Sequence, residues 1–215
     1  MRLRKKPWIA EAIREFDDIL VGPGSAGRWN DVFGRTAPLH VELGTGRGKF
    51  ITGMAELYPH INFVGIEAVQ DVLYCALSKV RERDLTNVRL VLFNANEMRD
   101  LFAPNEIDRL YINFCDPWPK NRHAKRRLTH SRFLEMYREL LKPRSELHFK
   151  TDNEALFEFS LNQFAEAQLG LQNISLDLHK SDFTDNVTTE YEARFSALGM
   201  KIFRCEARFE PLCKT

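Results

Sequence analysis

The 215-residue chain contains no long apolar run. No segment reaches the roughly 18 uninterrupted apolar residues that a membrane-spanning helix needs. The N-terminal stretch MRLRKKPWI also lacks the apolar segment of a signal peptide. We therefore expect an intracellular, cytoplasmic protein that has no membrane partner.

Cysteine is scarce, and its spacing excludes two further classes of protein. The chain has four cysteines, and they form no Cys-x-x-Cys pair and have no neighbouring histidine at metal-ligand spacing: Cys75, Cys115, Cys205 and Cys213. Neither a zinc site nor a disulfide framework is indicated, so we expect reduced thiols and no metal. The net charge is only +1. Any affinity for a polyanion must therefore come from local clusters of charge.

Short apolar runs alternate with amphipathic stretches along most of the chain. Length and an apolar content of 44% suit one domain, residues 31–215, preceded by a basic arm and an amphipathic helix within residues 1–30. The predicted strands are LHVEL, NFVGIE, VRLVLF, RLYINF and ELHFKT, and the predicted helices between them are KFITGMAELY, VQDVLYCALSKVRER, SRFLEMYRELL and EALFEFSLNQFAEAQ. This alternation predicts an α/β fold with a mostly parallel sheet covered on both faces.

A glycine-rich loop, residues 41–50, follows the first predicted strand. Gly44, Gly46 and Gly48 permit a tight turn and a close approach of the backbone to a ligand. In parallel sheets, ligands bind beyond the carboxyl ends of the strands. Glu67 ends the second strand about 20 residues later, the interval at which an acid meets ribose hydroxyls in nucleotide-binding sheets. This pattern fits a dinucleotide and an adenosyl cofactor equally.

Glu42 favours the adenosyl cofactor. A carboxylate two residues before the first glycine would repel a pyrophosphate and attract a cation. S-adenosylmethionine carries a sulfonium and an ammonium group. Asn94, after the third strand, has an amide that can bond an adenine edge, although asparagine is also common in ordinary turns. The alternative is that Glu42 is only an acid with ordinary hydrogen-bond partners at the end of a strand, and that the glycines only form a turn.

The stretch NFCDPWPKNRHAKRR, residues 113–127, places one carboxylate before a run of positive charge. Two prolines flank Trp118 and restrict the backbone, which holds the carboxylate of Asp116 in place. The next acid is Glu135, and we call residues 120–132 the basic strip; its cations are Lys120, Arg122, Lys125, Arg126, Arg127 and Arg132. Cations can hold phosphates, while the carboxylate and the tryptophan can meet a base. A turn followed by a solvated basic loop is the alternative.

Five motifs together resemble the bacterial tRNA (guanine-N7-)-methyltransferase family. They occur in this order: VELGTGRGKF, GIE, FCDPWPKNRHAKRRL, KTDN and TTEYEARF. The resemblance covers nearly the whole chain. It implies a Rossmann-like class I S-adenosylmethionine-dependent methyltransferase, with a sheet of about seven strands and helices on both faces. It also implies methyl transfer to N7 of the variable-loop guanine, position 46 of tRNA, which gives 7-methylguanosine.

The resemblance also implies roles for individual residues. Cofactor contacts are implied at Glu42, Gly44, Gly46, Glu67, Asn94 and Asp116, and a catalytic part at Asp116. Substrate contacts are implied at Lys120, Asp152, Thr189, Glu190, Tyr191 and Glu192. RNA contacts are implied at Arg122, His123, Lys125, Arg126 and Arg127. The chain departs from the family at Asn94, where some relatives carry an acid, and at Cys115, where a small hydroxyl residue or proline is common.

Three other functions stay open on the residues alone. Base amino-methyltransferases have a similar loop, but their aromatic residue follows two prolines, whereas Trp118 lies between them. A nicotinamide-dependent oxidoreductase would share Glu67, and Glu42 disfavours it. A non-catalytic RNA-binding module would use the basic strip alone. The tail Arg2–Lys6 is either a mobile RNA-binding arm or a solvated terminus, and the composition does not separate a monomer from a homodimer.

Overall fold

A seven-stranded sheet forms the centre of the computed structural model, which describes residues 8–210. The strands are β1 (Leu39–Leu43), β2 (Asn62–Glu67), β3 (Val88–Leu92), β4 (Ile107–Asn113), β5 (Leu141–Thr151), β6 (Gly170–Ser175) and β7 (Phe203–Arg208). Their order is β3-β2-β1-β4-β5-β7-β6. The first five strands pair in parallel, and β7 runs antiparallel to both β5 and β6. The predicted mostly parallel sheet is confirmed.

Helices cover both faces of the sheet. They are α1 (Ile9–Ala12), α2 (Trp29–Phe33), α3 (Lys49–Leu57), α4 (Gln70–Glu82), α5 (Ser131–Leu140), α6 (Glu154–Glu166) and α7 (Glu190–Ser196). Short 3-10 helices span Ile13–Phe16, Ala95–Asp100, Asn121–Arg126 and Leu178–Lys180. None of the helices within residues 8–210 is long and apolar enough to cross a bilayer.

Two buried apolar clusters lie on opposite faces of the sheet. Phe63 of β2 packs with α3 and α4, and the adjacent Val64 packs in the cluster that includes α5 and α6. Successive side chains of a strand point to opposite faces, so both neighbours are buried. Strands β1 and β2 consequently consist almost entirely of buried residues, as expected for a parallel sheet covered on both sides.

The N-terminal segment differs from the single amphipathic helix that its spacing predicts. Helix α1 ends at Ala12, and the chain continues as a 3-10 helix to Phe16. The Phe16 ring packs edge-on against Tyr74 of α4, with 5.8 Å between the ring centroids. The expected basic arm, Arg2–Lys6, lies outside the described residues.

The cysteines described by the structure are free thiols. They are Cys75, Cys115 and Cys205, and Cys213 lies outside the described residues. Burial raises the pKa of Cys115 and of Cys205 to about 12. Both thiols therefore stay protonated and unreactive at neutral pH.

Candidate active site

The glycine loop connects β1 to α3 at the carboxyl ends of the parallel strands. Gly44, Gly46 and Gly48 all have positive φ angles, +75°, +59° and +85°. A Cβ at Gly48 would lie 2.8 Å from the Cβ of Ala76 in α4, so the loop packs directly against that helix. The amide of Gly44 donates to the Ile66 carbonyl over 2.9 Å. The loop is therefore held in one shape by its neighbours.

Glu42 is a buried acid at the base of this loop, with 3% of its surface exposed. Its Oε2 accepts from Thr45 Oγ1 over 2.6 Å, and its Oε1 accepts from Asn113 Nδ2 over 3.0 Å. Burial raises the pKa of Glu42 to about 7, although both hydrogen bonds and the nearby Lys150 oppose this rise. A cation beside Glu42 would favour the ionised carboxylate, because burial disfavours an unpaired charge.

A cavity of about 540 Å³ opens above Glu42 and the glycine loop. Phe50, Phe114 and Tyr191 contribute aromatic walls, and Glu42 contributes the buried acid. A Cβ at Gly44 would meet no atom within 4 Å, so the backbone there is open to a ligand. The volume of the cavity lies within the usual range for cofactor pockets. These features fit S-adenosylmethionine, which needs an apolar wall for its adenosyl group and a carboxylate for its positive charge.

Glu67 is the last residue of β2. Asn94 follows β3 and precedes the 3-10 helix Ala95–Asp100. Glu67 Oε2 accepts from the Gly46 amide over 3.1 Å, and Oε1 accepts from the amides of Ala68 and Val69 over 2.9 Å. A carboxylate has about four acceptor sites, so a ribose hydroxyl can still bind. The exposed Asn94 uses Oδ1 to cap the 3-10 helix through the Asn96 amide. Their cofactor contacts remain predictions.

Asp116 lies in a loop with unusual backbone angles. Phe114 and Trp118 have φ angles of +54° and +43°, a region that residues other than glycine rarely adopt. The Asp116 side chain is exposed, and it accepts no hydrogen bond from any residue in the range 8–210. Phe114 lines the cavity above Glu42. A fixed loop thus presents a free carboxylate next to the candidate cofactor pocket.

Most of the basic strip faces solvent. The Arg126 guanidinium carbon lies 4.8 Å from the Trp118 ring centroid, and His123 meets the same ring edge-on at 5.8 Å. Lys120, Arg122 and Lys125 are exposed, and their side chains make no hydrogen bond or ion pair within the described range. These side chains are accessible to RNA, as the contacts predicted for them require.

Arg127 differs from its neighbours, because only 9% of its surface is exposed. Its Nε donates to the Pro117 carbonyl and its Nη2 donates to the Trp118 carbonyl, both over 3.1 Å. The guanidinium carbon also lies 4.3 Å from the Phe159 ring centroid. This geometry departs from the RNA contact that the resemblance implies for Arg127, because the guanidinium is committed to the backbone of the Asp116 loop.

The TTEYEARF motif, residues 188–195, covers the N-cap and nearly all of α7. Thr189 caps the helix, since its Oγ1 accepts from the Glu192 amide over 2.9 Å. Glu190 pairs with Lys79 of α4. Thr189 and Glu190 also line the cavity above Glu42. Helix α7 therefore forms one wall of the candidate cofactor pocket.

Tyr191 brings Asp152 into the same neighbourhood. Its Oη donates to Asp152 Oδ2 over 3.0 Å, and its ring centroid lies 5.0 Å from that of Phe114. Burial and the Asp152 carboxylate raise the pKa of Tyr191 to about 12, so the hydroxyl stays protonated. The structure thus places the predicted substrate residues Asp152 and Tyr191 beside the loop that carries Asp116.

Glu192 is fully buried, although the resemblance implies a substrate contact there. Its Oε2 accepts from Lys150 Nζ over 2.8 Å, and its Oε1 accepts from Asn186 Nδ2 over 2.6 Å. Lys150 itself was not identified from the sequence, although a lysine inside the predicted buried strand ELHFKT is a signal that could have shown it. Both carboxylate oxygens of Glu192 are therefore occupied by internal partners.

A second cavity, of about 280 Å³, lies on the sheet face formed by β4, β5 and β7. Its floor carries Glu146, His148 and Glu206, whose possible metal-ligating atoms lie within 4.8 Å of one another. Arg109 Nη2 lies 3.2 Å from Glu146 Oε2, and Arg204 pairs with Glu206. A divalent cation there would face two guanidinium groups. The group is accordingly a neutral network of ion pairs.

Comparison with known proteins identifies the family. A family model described as "Putative methyltransferase" matches residues 36–205. The chain is 51% identical to a tRNA (guanine-N(7)-)-methyltransferase of Geobacillus sp. (strain WCH70), over 98% of this chain and 97% of the relative. It is 49% identical to a protein of the same name from Halalkalibacterium halodurans, over 97% of this chain and 96% of the relative.

Solved structures agree in fold. An antibiotic-related methyltransferase has a TM-score of 0.63 at 19% identity and covers 85% of this chain and 92% of its own. An S-adenosylmethionine-dependent methyltransferase from Aquifex aeolicus has a TM-score of 0.58 at 14% identity and covers 94% of this chain and 89% of its own. With the predicted sheet confirmed, the chain has the class I fold and belongs to the tRNA (guanine-N(7)-)-methyltransferase family.

Proposed function

We propose that this protein transfers the methyl group of S-adenosylmethionine to N7 of the variable-loop guanine of tRNA, position 46, and so produces 7-methylguanosine. Relatives about half identical over nearly the full chain carry the name of this activity. One observation carries the proposal to the site. The free carboxylate of Asp116 follows Phe114, which lines the cavity above Glu42, and precedes the exposed basic strip.

The cofactor would bind in the cavity above the glycine loop. Gly44 and Gly46 allow close approach, Glu42 faces the positive charge, and Glu67 and Asn94 contact the ribose and the adenine. When bound, S-adenosylmethionine supplies an electrophilic methyl group. Because the pKa of Glu42 is raised to about 7, a bound cation draws this carboxyl into its charged form.

The methyl transfer requires orientation more than proton transfer. N7 of guanine has a lone pair and no proton at neutral pH, so attack needs no general base. Fixing two reactants in line recovers up to roughly 7–11 kcal/mol of the barrier. Asp116 accepts hydrogen bonds from the guanine and holds the base against the methionine end of the cofactor.

Other residues hold the nucleotide and the RNA backbone. Lys120, Asp152, Thr189, Glu190 and Tyr191 surround the base, with acceptors for its imino and amino hydrogens. Glu192 acts behind them through its buried pair with Lys150. The phosphate contacts come from the exposed members of the basic strip, which are Arg122, His123, Lys125 and Arg126. Phosphate contacts position an RNA, while contacts to base edges give specificity.

We also propose the domain organisation and the compartment. Residues 31–215 form one methyltransferase domain, and residues 1–30 contribute the arm and the helix that packs on α4. A tRNA substrate places the enzyme in the cytoplasm.

The test is to incubate the purified protein with radiolabelled S-adenosylmethionine and unmodified tRNA, and then to map the label. We expect label at 7-methylguanosine of the variable loop and its loss in Asp116→Ala. Label on another base would overturn the proposed substrate. Near-normal methylation by Asp116→Asn would contradict the role given to Asp116. A thermal unfolding midpoint close to that of the unsubstituted protein is the control for an intact fold.

A further inference from the structure

Two neighbouring arginines of the basic strip have opposite surroundings. Arg126 is exposed and lies over the Trp118 ring. Arg127 is buried, and its Nε and Nη2 donate to the carbonyls of Pro117 and Trp118. By sequence alone the two are equivalent cations. In the fold, one faces outward and the other supports the loop from below.

The Asp116 loop needs such support. Proline at positions 117 and 119 has no amide hydrogen, so the loop offers few donors of its own. Its backbone also passes through positive φ at Phe114 and Trp118, a conformation that costs energy unless the surroundings hold it. Arginine carries its donors in a rigid planar fork. Arg127 therefore reaches two successive carbonyls with one side chain.

The Asp116 carboxylate depends on this support. It has no hydrogen-bond partner within residues 8–210, so its position is set by the backbone that carries it. Pro117, whose carbonyl accepts from Arg127, is the next residue in the chain. The Phe159 ring of α6, 4.3 Å from the guanidinium carbon, fixes Arg127 in turn. The contacts thus run from α6 through Arg127 to the loop.

We propose that Arg127 is a positioning residue that fixes the Asp116–Trp118 loop and makes no phosphate contact, whereas Arg126 contacts the RNA backbone. This inference rests on the proposed function, because it assigns Arg127 a part in placing Asp116 for methyl transfer. Arg127 acts through the loop and touches neither the base nor the cofactor.

The test compares matched substitutions at the two arginines. Arg126→Gln and Arg127→Gln are measured for kcat, for KM toward tRNA and for the dependence of tRNA affinity on salt. Each lost phosphate contact lowers the log-log salt slope by about 0.7–0.9. We expect that loss for Arg126→Gln, together with a higher KM toward tRNA. For Arg127→Gln we expect an unchanged slope and a kcat lower by about 10- to 100-fold, since small misplacements of reacting groups have effects of this size.

Lysine substitutions decide between charge and geometry. Lysine keeps the charge but lacks the fork that reaches both carbonyls. We expect Arg126→Lys to restore near-normal tRNA binding and Arg127→Lys to keep the low kcat. If Arg127→Gln does not fold, Arg127→Lys carries the test, and cofactor affinity reports whether its pocket is intact.

A reduced salt slope in Arg127→Gln, or a normal kcat in Arg127→Lys, would overturn the inference. The unsubstituted protein is assayed in parallel. Its failure to form 7-methylguanosine would refute the proposed function instead, so the two failures are distinguishable.

Discussion

Lys150 of β5 and Glu192 of α7 form a buried ion pair, with 2.8 Å between Nζ and Oε2. Nζ also donates to Asn186 Oδ1 and to the Val187 carbonyl, each over 3.0 Å. One ammonium group therefore joins the sheet, the segment 186–187 and the helix that lines the candidate cofactor pocket. This pair fixes where Thr189, Glu190 and Tyr191 lie.

Removing one partner of this pair has a predictable cost. Lys150→Met removes the buried cation from Glu192 and leaves the exposed His179, whose Nε2 lies 3.2 Å from Oε1, as its basic neighbour. We expect the free energy of unfolding to fall by about 3–5 kcal/mol. Urea denaturation at neutral pH measures this loss. In the double variant Lys150→Met with Glu192→Leu, no charge remains buried at this position, so most of the stability should return. Equal or greater instability in the double variant would contradict the assignment.

Glu42 should make the empty protein less stable as the pH rises. Its ordinary pKa of 4.5 is raised to about 7 in the folded protein. Between these values the folded chain keeps a proton that the unfolded chain has lost, so stability falls with rising pH. The full loss, about 3 kcal/mol, is reached above pH 7. Glu42→Gln should remove this loss, because Thr45 can turn its hydroxyl to accept from the new amide.

Urea unfolding at about pH 5 and about pH 8.5 checks this expectation. The exposed Glu97→Gln is the matched control, since it removes a carboxyl without changing a buried one. If Glu97→Gln and Glu42→Gln gave the same pH dependence, Glu42 would not be the source.

The same carboxyl should make cofactor binding depend on pH. A cation binds the ionised form better, so affinity for S-adenosylmethionine should rise as the pH passes through about 7 and level off above it. Calorimetry measures the affinity. S-adenosylhomocysteine lacks the sulfonium charge, so its affinity should depend less on pH. The Glu42→Gln variant should bind S-adenosylmethionine weakly and without this pH dependence. An equal slope for both ligands would count against Glu42 as the partner of the sulfonium.

Gly48 should tolerate substitution less well than Gly34. Both have positive φ, +85° and +66°, but a Cβ at Gly48 would meet Ala76, whereas one at Gly34 would meet nothing within 4 Å. We expect Gly34→Ala to lower the free energy of unfolding by about 1–2 kcal/mol. Gly48→Ala should cost about 1–3 kcal/mol more and weaken cofactor binding. Denaturant unfolding of both variants gives the comparison, and equal losses would show that loop packing on α4 does not matter.

The five parallel strands were predictable because each contains a short stretch rich in apolar residues that ends near a turn. Strands β6 and β7 were not located individually, although about seven strands were expected. Their sequences, GLQNIS and FRCEAR, carry polar side chains. Arg204 and Glu206 of β7 are buried and line the second cavity on the sheet, although neither is apolar. A search of the sequence for apolar runs does not detect such a strand.

In the candidate site, too, some features were predictable from local sequence and others were not. The glycine loop and the Asp116 loop were found from local sequence, and the TTEYEARF motif was found from the family resemblance. The structure brings residues of all three together around one cavity. The inward turn of Arg127 and the burial of Glu192 depend on contacts between distant segments. One local signal existed for α7, since threonine followed three residues later by glutamate is typical of a helix start.

The segment 183–187, which covers the second cavity, has a consequence for dynamics. Residues 183–187 lie outside the helices and strands, and the hydrogen bonds of Lys150 to Asn186 and Val187 join them to the sheet. Local opening there costs much less than global unfolding, and its amides should exchange hydrogen faster than those of β4 and β5. The segment over the second cavity can thus open locally while the glycine loop keeps its shape.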